Sequence, residues 1–335
     1  MLRLDPYGCV SLIIGKGTNK RAKNKIKTIF YVNCFVFSKD FRNFAVKLLS
    51  SKMNNDSTLS VTHDIEPVKP IRRPRLTIRI GQGSLAFAAP DATAVGQVRY
   101  LPYTVRSGVS MAANLREAFK TEDMLNEGWT RAQVMVDTPT VMLPLEDFFE
   151  QDEQRNSLFY HHAITGHEHD VVLSTVLPSL NAAVLFAMNK DLKLVVDDHF
   201  EDVRFMALSQ PVWGHLHRRS FTGTRRKLYG YFHDKSMEVF AFQQNRFRFC
   251  NRYAVTTALD AVFFLLAVWQ QLGMDTQKDE LHVVGTLPDK EAFLTEIRKY
   301  LQNAYVINPV ADYNRAPITA IKDIPYDLCA LMMRS

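Results

Sequence analysis

The feature that most constrains the fold is an order of local patterns that occurs twice. Leu76-Thr77-Ile78-Arg79-Ile80 alternates apolar and polar residues, the period of a half-buried strand. Gly81-Gln82-Gly83-Ser84 is a turn signal, and 85–88 (LAFA) reads as a second strand, so the pair forms a hairpin. Residues 95–105 (VGQVRYLPYTV) read as a third strand, with Pro102 bending it or marking an edge. Ser110 caps a helix over 111–125, Gly128 ends it, and 131–136 (RAQVMV) is a further strand. A second series starts at 227. Strands over 227–232 (KLYGYF) and 237–242 (MEVFAF) flank the turn His233-Asp234-Lys235-Ser236, and 246–251 (RFRFCN) follows. Thr256 or Thr257 caps a helix over 258–272, Gly273 stops it, and 280–284 (ELHVV) closes at Gly285. Both series run strand, strand, strand, helix, strand.

A repeat this long excludes a short-period solenoid and predicts two related α/β subdomains. The expected division is a basic leader over 1–52, a Pro-rich linker over 53–75, a first lobe with an insertion over 76–226, a second lobe over 227–310 and a tail over 311–335. In the stretch joining the lobes, 144–153 reads as a short solvated acidic helix. Strands are expected over 170–175, 182–187 and 193–196, a helix or turn over 197–210, and a basic loop over 218–226. Residues 291–301 read as an amphipathic helix, and 326–333 as a short packed helix within the tail. The apolar run of the 258–272 helix covers 261–269. A membrane span needs about 20 residues, so this helix is expected between layers of a core.

Whole-chain charge misleads. The formal net charge of +6 divides into +9 over 1–52 and −3 over 53–335. The basic balance belongs to the leader, and a nucleic-acid function drawn from it does not follow. The four Cys, at 9, 34, 250 and 329, form no CxxC pair, which fits a cytoplasmic protein without a disulfide framework. Three readings of the leader stand: a secretory signal without an Ala-x-Ala site, a basic amphipathic surface helix over 30–49, or a non-native stretch ahead of a true start at Met53.

The two series have the layout of the actin-like ATPase superfamily, whose halves are ribonuclease H-like. The run 76–83, VDTPTVMLPLEDFFEQDE at 136–153 and LYGYFHDKSMEVFAFQQNRFRFCNRY at 228–253 resemble an uncharacterised Bacteroidetes family, number 3822 among the domains of unknown function. The resemblance implies an α/β actin-like ATPase fold with two ribonuclease H-like subdomains. In active members of that superfamily the first hairpin carries Asp-x-Gly, whose carboxylate organises Mg²⁺ while backbone N–H groups hold phosphate. Here that tip is Ile80-Gly81-Gln82-Gly83, with no Asp. The second tip, His233-Asp234-Lys235-Ser236, keeps Asp and lacks Gly. The adenosine loop, Val283-Val284-Gly285-Thr286, keeps one Gly of two. The resemblance therefore implies a residual nucleotide cleft marked by Asp234 and Gly285, no catalytic residue, no metal site and no required cofactor, ATP being the one conceivable ligand. It implies a non-catalytic scaffold or protein-interaction module with a protein partner, and neither membrane nor nucleic acid. The alternative is a divergent ATP-binding protein or phosphotransfer enzyme.

Other constellations carry less. His161, His162, His167 and His169 lie beside Glu168 and Asp170 but not in HExxH spacing, and read as a solvated loop. Arg218, Arg219, Arg225, Arg226 and Lys227 read as a solvated approach to a strand rather than a nucleic-acid surface. Cys250 reads as a buried thiol. No GxSxG and no GxxxxGK[ST] occurs.

Overall fold

The computed structural model describes residues 2–4, 10–12, 74–148 and 152–333. The leader and most of the linker thus lie outside the described residues, apart from a short antiparallel pair, β1 (Leu2–Leu4) and β2 (Val10–Leu12).

The first lobe is a five-stranded sheet of β3 (Leu76–Ile80), β4 (Leu85–Pro90), β5 (Val98–Tyr103), β6 (Arg131–Val136) and β10 (Asp202–Ala207), in the order β10-β6-β3-β4-β5. β3, β4 and β5 form an antiparallel meander. β6 lies parallel to β3, and β10 parallel to β6. The second lobe contains β11 (Lys227–His233), β12 (Ser236–Gln243), β13 (Arg246–Ala254), β14 (Glu280–Gly285) and β15 (Ala304–Val306), in the order β13-β12-β11-β14-β15. Its meander is again antiparallel and its last two strands again parallel. Relabelled by position, both sheets read third, second, first, fourth, fifth, so the doubled order seen in the sequence is a doubled topology. Parallel strands need covered crossovers, and helices supply them: α1 (Met111–Thr121) leads from β5 towards β6, and α5 (Ala258–Gln271) from β13 to β14. Their caps are the expected ones. Ser110 accepts from Ala113 N, and Thr257 forms a reciprocal capping box with Asp260.

Between β6 and β10 sits a three-stranded antiparallel sheet of β7 (Thr140–Pro144), β8 (Val171–Leu177) and β9 (Ala182–Met188), in the order β7-β9-β8. Helices α2 (Glu153–Ala163) and α3 (Lys190–Asp197) flank β8 and β9 along the chain. Three local expectations are corrected here. Residues 193–196, read as a strand from Leu194, Val195 and Val196, belong to α3. Asn189 accepts from Asp191 N and Leu192 N, and Leu192, Val195 and Val196 lie on one buried helical face. Residues 197–210, read as helix or turn, contain β10, where Val203, Phe205 and Ala207 alternate with Asp202 and Arg204. Arg218 and Arg219 are not in a loop but in the last turn of α4 (Gln210–Ser220), whose start Pro211 marks.

Each sheet has its own core. In the first lobe Ile78, Phe87, Leu115 and Val134 pack with Val196 of α3; in the second, Leu228, Val239 and Leu265 pack with Phe293 of α6 (Lys290–Ile297). A third cluster joins the lobes, drawing Ala88 and Met135 from the first, Tyr231 and Phe240 from the second, Trp213 from α4 and Leu328 from α8 (Tyr326–Met332). α8 packs on α4, and Asp312, in the short helix α7 (Pro309–Asp312), ties the two. It accepts from Tyr326 Oη at 2.6 Å, meets His215 Nε2 at 2.7 Å and pairs with Arg219. α5 is less enclosed than its apolar run predicts: Phe263, within the run, is 50% exposed, and Leu259, just before it, 65%. Among the described residues no helix is long and apolar enough to cross a membrane.

Candidate functional site

The repeated topology places the β3–β4 tip of one lobe opposite the β11–β12 tip of the other. The two tips are bonded to each other. Ser84 Oγ donates to Asp234 Oδ1 at 2.9 Å, and Arg79 Nη2 donates to Asp234 Oδ2 at 3.2 Å. Arg79 also donates to Ser84 Oγ at 2.9 Å. Gly81, read from the sequence as a turn glycine, has a tighter reason to be glycine. A Cβ there would lie 2.2 Å from Ser84 Oγ and 2.4 Å from Asp234 Oδ2, so the missing side chain is what lets the lobes meet.

Beneath the tips lies a buried ionic network. Asp327, on α8, has a fully buried side chain. Both its oxygens accept from Arg79 Nε at 3.0 Å, and Oδ2 accepts from Tyr231 Oη at 2.6 Å. Burial alone would lower the Arg79 pKa; the Asp327 and Asp234 carboxylates outweigh it, and the guanidinium is held charged. Burial pushes the Tyr231 phenol upward, and Asp327 adds to that.

A second branch runs through Asp137, just past β6. Arg252 of β13 clamps it with two contacts, Nη1 to Oδ1 at 2.5 Å and Nη2 to Oδ2 at 3.0 Å. His233 Nδ1 lies 3.6 Å from Asp137 Oδ2, and His233 Nε2 lies 3.7 Å from Glu238 Oε1. Glu238 in turn accepts from Trp213 Nε1 at 3.1 Å. Both His233 separations exceed hydrogen-bond length, and neither ring nitrogen has a hydrogen-bond partner. Burial alone would lower the His233 pKa, but the two carboxylates raise it to about 9. Burial would raise the Asp137 pKa, but His233 and Arg252 together hold it well below the usual carboxylate range.

This geometry sets a pH dependence. A raised imidazole pKa stabilises the fold fully below about pH 6.5, and the contribution disappears as pH rises through about 9. The depressed Asp137 pKa acts above the ordinary carboxylate pKa near 3.8 and is lost on acidification. With a chelator present, unfolding free energy is expected to fall by roughly 3 kcal/mol between pH 6 and 10 relative to His233→Gln, at about 1.4 kcal/mol per pKa unit. Urea titrations of both proteins across that range check it; parallel pH curves would refute it.

The two residues singled out from sequence occupy neighbouring strand ends. Asp234 is in the β11–β12 turn at φ +41°, and Gly285 ends β14 beside Phe232 at φ +100°. Arg79, Asp137, Glu238, Arg252 and Asp327 were not anticipated. Asp137, His233 and Asp234 offer three possible metal-ligand atoms within 4.8 Å of one another. The histidines at 161–169 form no such group among the described residues; His161 and His162 sit in the last turn of α2, and His167 Nδ1 meets Asp170 at 2.7 Å.

The sequence matches the family described as a protein of unknown function (DUF3822) over residues 69–304. The chain belongs to the DUF3822 family. Among solved structures it is similar to a protein of Bacteroides thetaiotaomicron VPI-5482 with an actin-like ATPase fold and unknown function. The TM-score is 0.65 at 24% identity, over 74% of this chain and 96% of that one. It is also similar to a chain of the PilM-PilN type IV pilus biogenesis complex, with a TM-score of 0.52 at 10% identity, over 78% of this chain and 98% of that one. No curated protein matches the chain. This DUF3822 chain thus has the actin-like ATPase fold, in agreement with its two sheets of identical order.

Proposed function

We propose that this DUF3822 protein is a non-catalytic actin-fold scaffold whose two lobes are held together by its own side chains, and which acts by binding a protein partner. The observation that carries the reading is the direct bond between the two hairpin tips. The space that phosphates occupy in active members is bridged here by Ser84, Asp234 and Arg79. Two features compound this. Asp234, the one kept acidic residue of the phosphate motifs, bridges to Ser84 and Arg79 of the opposite tip. The first tip offers no carboxylate to organise Mg²⁺. Phosphoryl transfer relies on positioning and charge stabilisation at that location. The similar chain of the PilM-PilN type IV pilus biogenesis complex belongs to an assembly, which supports an interaction role.

The test is thermal unfolding with and without ATP and Mg²⁺. A ligand present at 100 times its Kd adds about 2.7 kcal/mol of stability. The expected result at millimolar ATP is no shift in Tm. A saturable rise that Asp234→Ala abolishes would establish the alternative, a divergent nucleotide-binding protein.

A further inference from the structure

We propose that Asp137, His233 and Asp234 form a protein-only site for a divalent transition-metal ion, with Zn²⁺ as the reference case, clipping the two lobes without any nucleotide. Asp137 comes from the first lobe, at the end of β6. His233 and Asp234 come from the second, at the end of β11 and in the turn after it.

Three observations point to a cation. The first is the His233 ring. Its side chain is only 3% exposed, yet both nitrogens lack a hydrogen-bond partner. A buried polar group is normally satisfied, and its absence calls for an explanation. The second is spacing. His233 Nδ1 and Asp137 Oδ2 are 3.6 Å apart, too long for a hydrogen bond. Two ligands at about 2.1 Å from one tetrahedral Zn²⁺ lie roughly 3.4 Å apart. The third is charge. Asp137, Glu238 and Asp327 are buried and Asp234 is largely so, against the guanidiniums of Arg79 and Arg252. Four carboxylates face two guanidiniums, an excess of two negative charges. Buried uncompensated charge is costly, and a divalent ion removes the excess.

The surroundings are those of a metal-bound imidazole. Its second nitrogen faces Glu238, which Trp213 Nε1 fixes in place. A carboxylate opposite the non-ligating nitrogen sets ring orientation and tautomer. The Arg252 clamp fixes the Asp137 carboxylate. The mixture of one imidazole with two carboxylates suits Zn²⁺, Mn²⁺ or Fe²⁺ better than Mg²⁺, which prefers an all-oxygen shell. Water completes the coordination.

The test is Co²⁺ and Zn²⁺ titration of the untagged full chain after chelator treatment. Co²⁺ visible absorption serves as the site reporter and Tm as the stability reporter. One Co²⁺ per chain is expected, displaced by Zn²⁺, with Tm rising on binding of either ion. His233→Gln is expected to weaken binding at least 100-fold, and Glu238→Gln about 10-fold, in line with the cost of losing an orienting partner. Should His233→Gln fail to fold, Asp234→Asn, at the partly exposed turn, takes its place with the same expected loss. A chain with His161, His162, His167 and His169 all changed to Gln should bind as the parent does. Absence of stoichiometric Co²⁺ uptake, undiminished binding in both His233→Gln and Asp234→Asn, or loss of binding in the four-histidine variant would each overturn the proposal.

Discussion

Asp327→Ala is expected to cost about 3–5 kcal/mol of unfolding free energy, the range for breaking a buried ion pair by deleting one partner. The carboxylate is the hub of the inter-lobe network. It accepts from Arg79 Nε at 3.0 Å and from Tyr231 Oη at 2.6 Å, with no exposed surface. Its removal leaves the Arg79 guanidinium with Asp234 and Ser84 alone, and leaves the Tyr231 hydroxyl without its acceptor. Most of the loss is therefore the desolvation of what remains rather than the attraction itself. The double variant Arg79→Met/Asp327→Leu tests this. It removes both charges and refills the space with apolar atoms, and it is expected to be clearly more stable than Asp327→Ala. Urea unfolding of the single and double variants gives the comparison. A cost below 1 kcal/mol for Asp327→Ala would show that the lobes are held by their shared apolar core, with the ionic network incidental.

The same network shows what the sequence made legible and what it hid. Strand order was readable because it is local. Alternation in Leu76-Thr77-Ile78-Arg79-Ile80, a turn and a capped helix each occupy a few residues, and the series occurs twice. The fifth strands were not. β15 is only three residues long, and β10 was obscured by the acidic segment before it. Alternation also misled in one respect. It predicts that Thr77 and Arg79 face water, yet all five residues of β3 are buried. A strand in the middle of a sheet with a second lobe against it has no solvent face. Arg79 was invisible as a site residue because its partners lie 155 and 248 positions away. Asp137 and His233 share no spacing motif for the same reason. Gly81 was legible as a turn glycine, but the physical demand on it comes from Asp234 of the other lobe. The C-terminal segment concealed the most: α8, read as a possible packed helix within a tail, delivers the buried Asp327 to the centre of the molecule.

Gly285→Ala is the second change expected to have a large effect, and its outcome bears on why that glycine is there. Gly285 has φ +100°, a backbone state that side chains rarely adopt. A Cβ would fall 2.0 Å from the carbonyl oxygen of Phe232 on the adjacent strand, and within 3.0 Å of two more Phe232 backbone atoms. The clash is with backbone in a sheet, so no rotamer change relieves it. Moving the chain aside would stretch the bond from Thr286 N to Phe232 O, now 3.0 Å, at the end of the β11–β14 ladder. Backbone strain of about 1–3 kcal/mol and overpacking of about 1–3 kcal/mol act together, so a loss of about 2–6 kcal/mol is expected. Gly83→Ala is the control: nothing lies within 4 Å of its Cβ position, and a change within about 0.5 kcal/mol is expected. Thermal and urea unfolding of both variants decide the matter. A large loss at Gly285 with none at Gly83 would account for Gly285 by strand-end geometry alone, without a nucleotide. A Gly285→Ala protein as stable as the parent would remove that account, leaving close approach of a ligand as the demand the glycine meets.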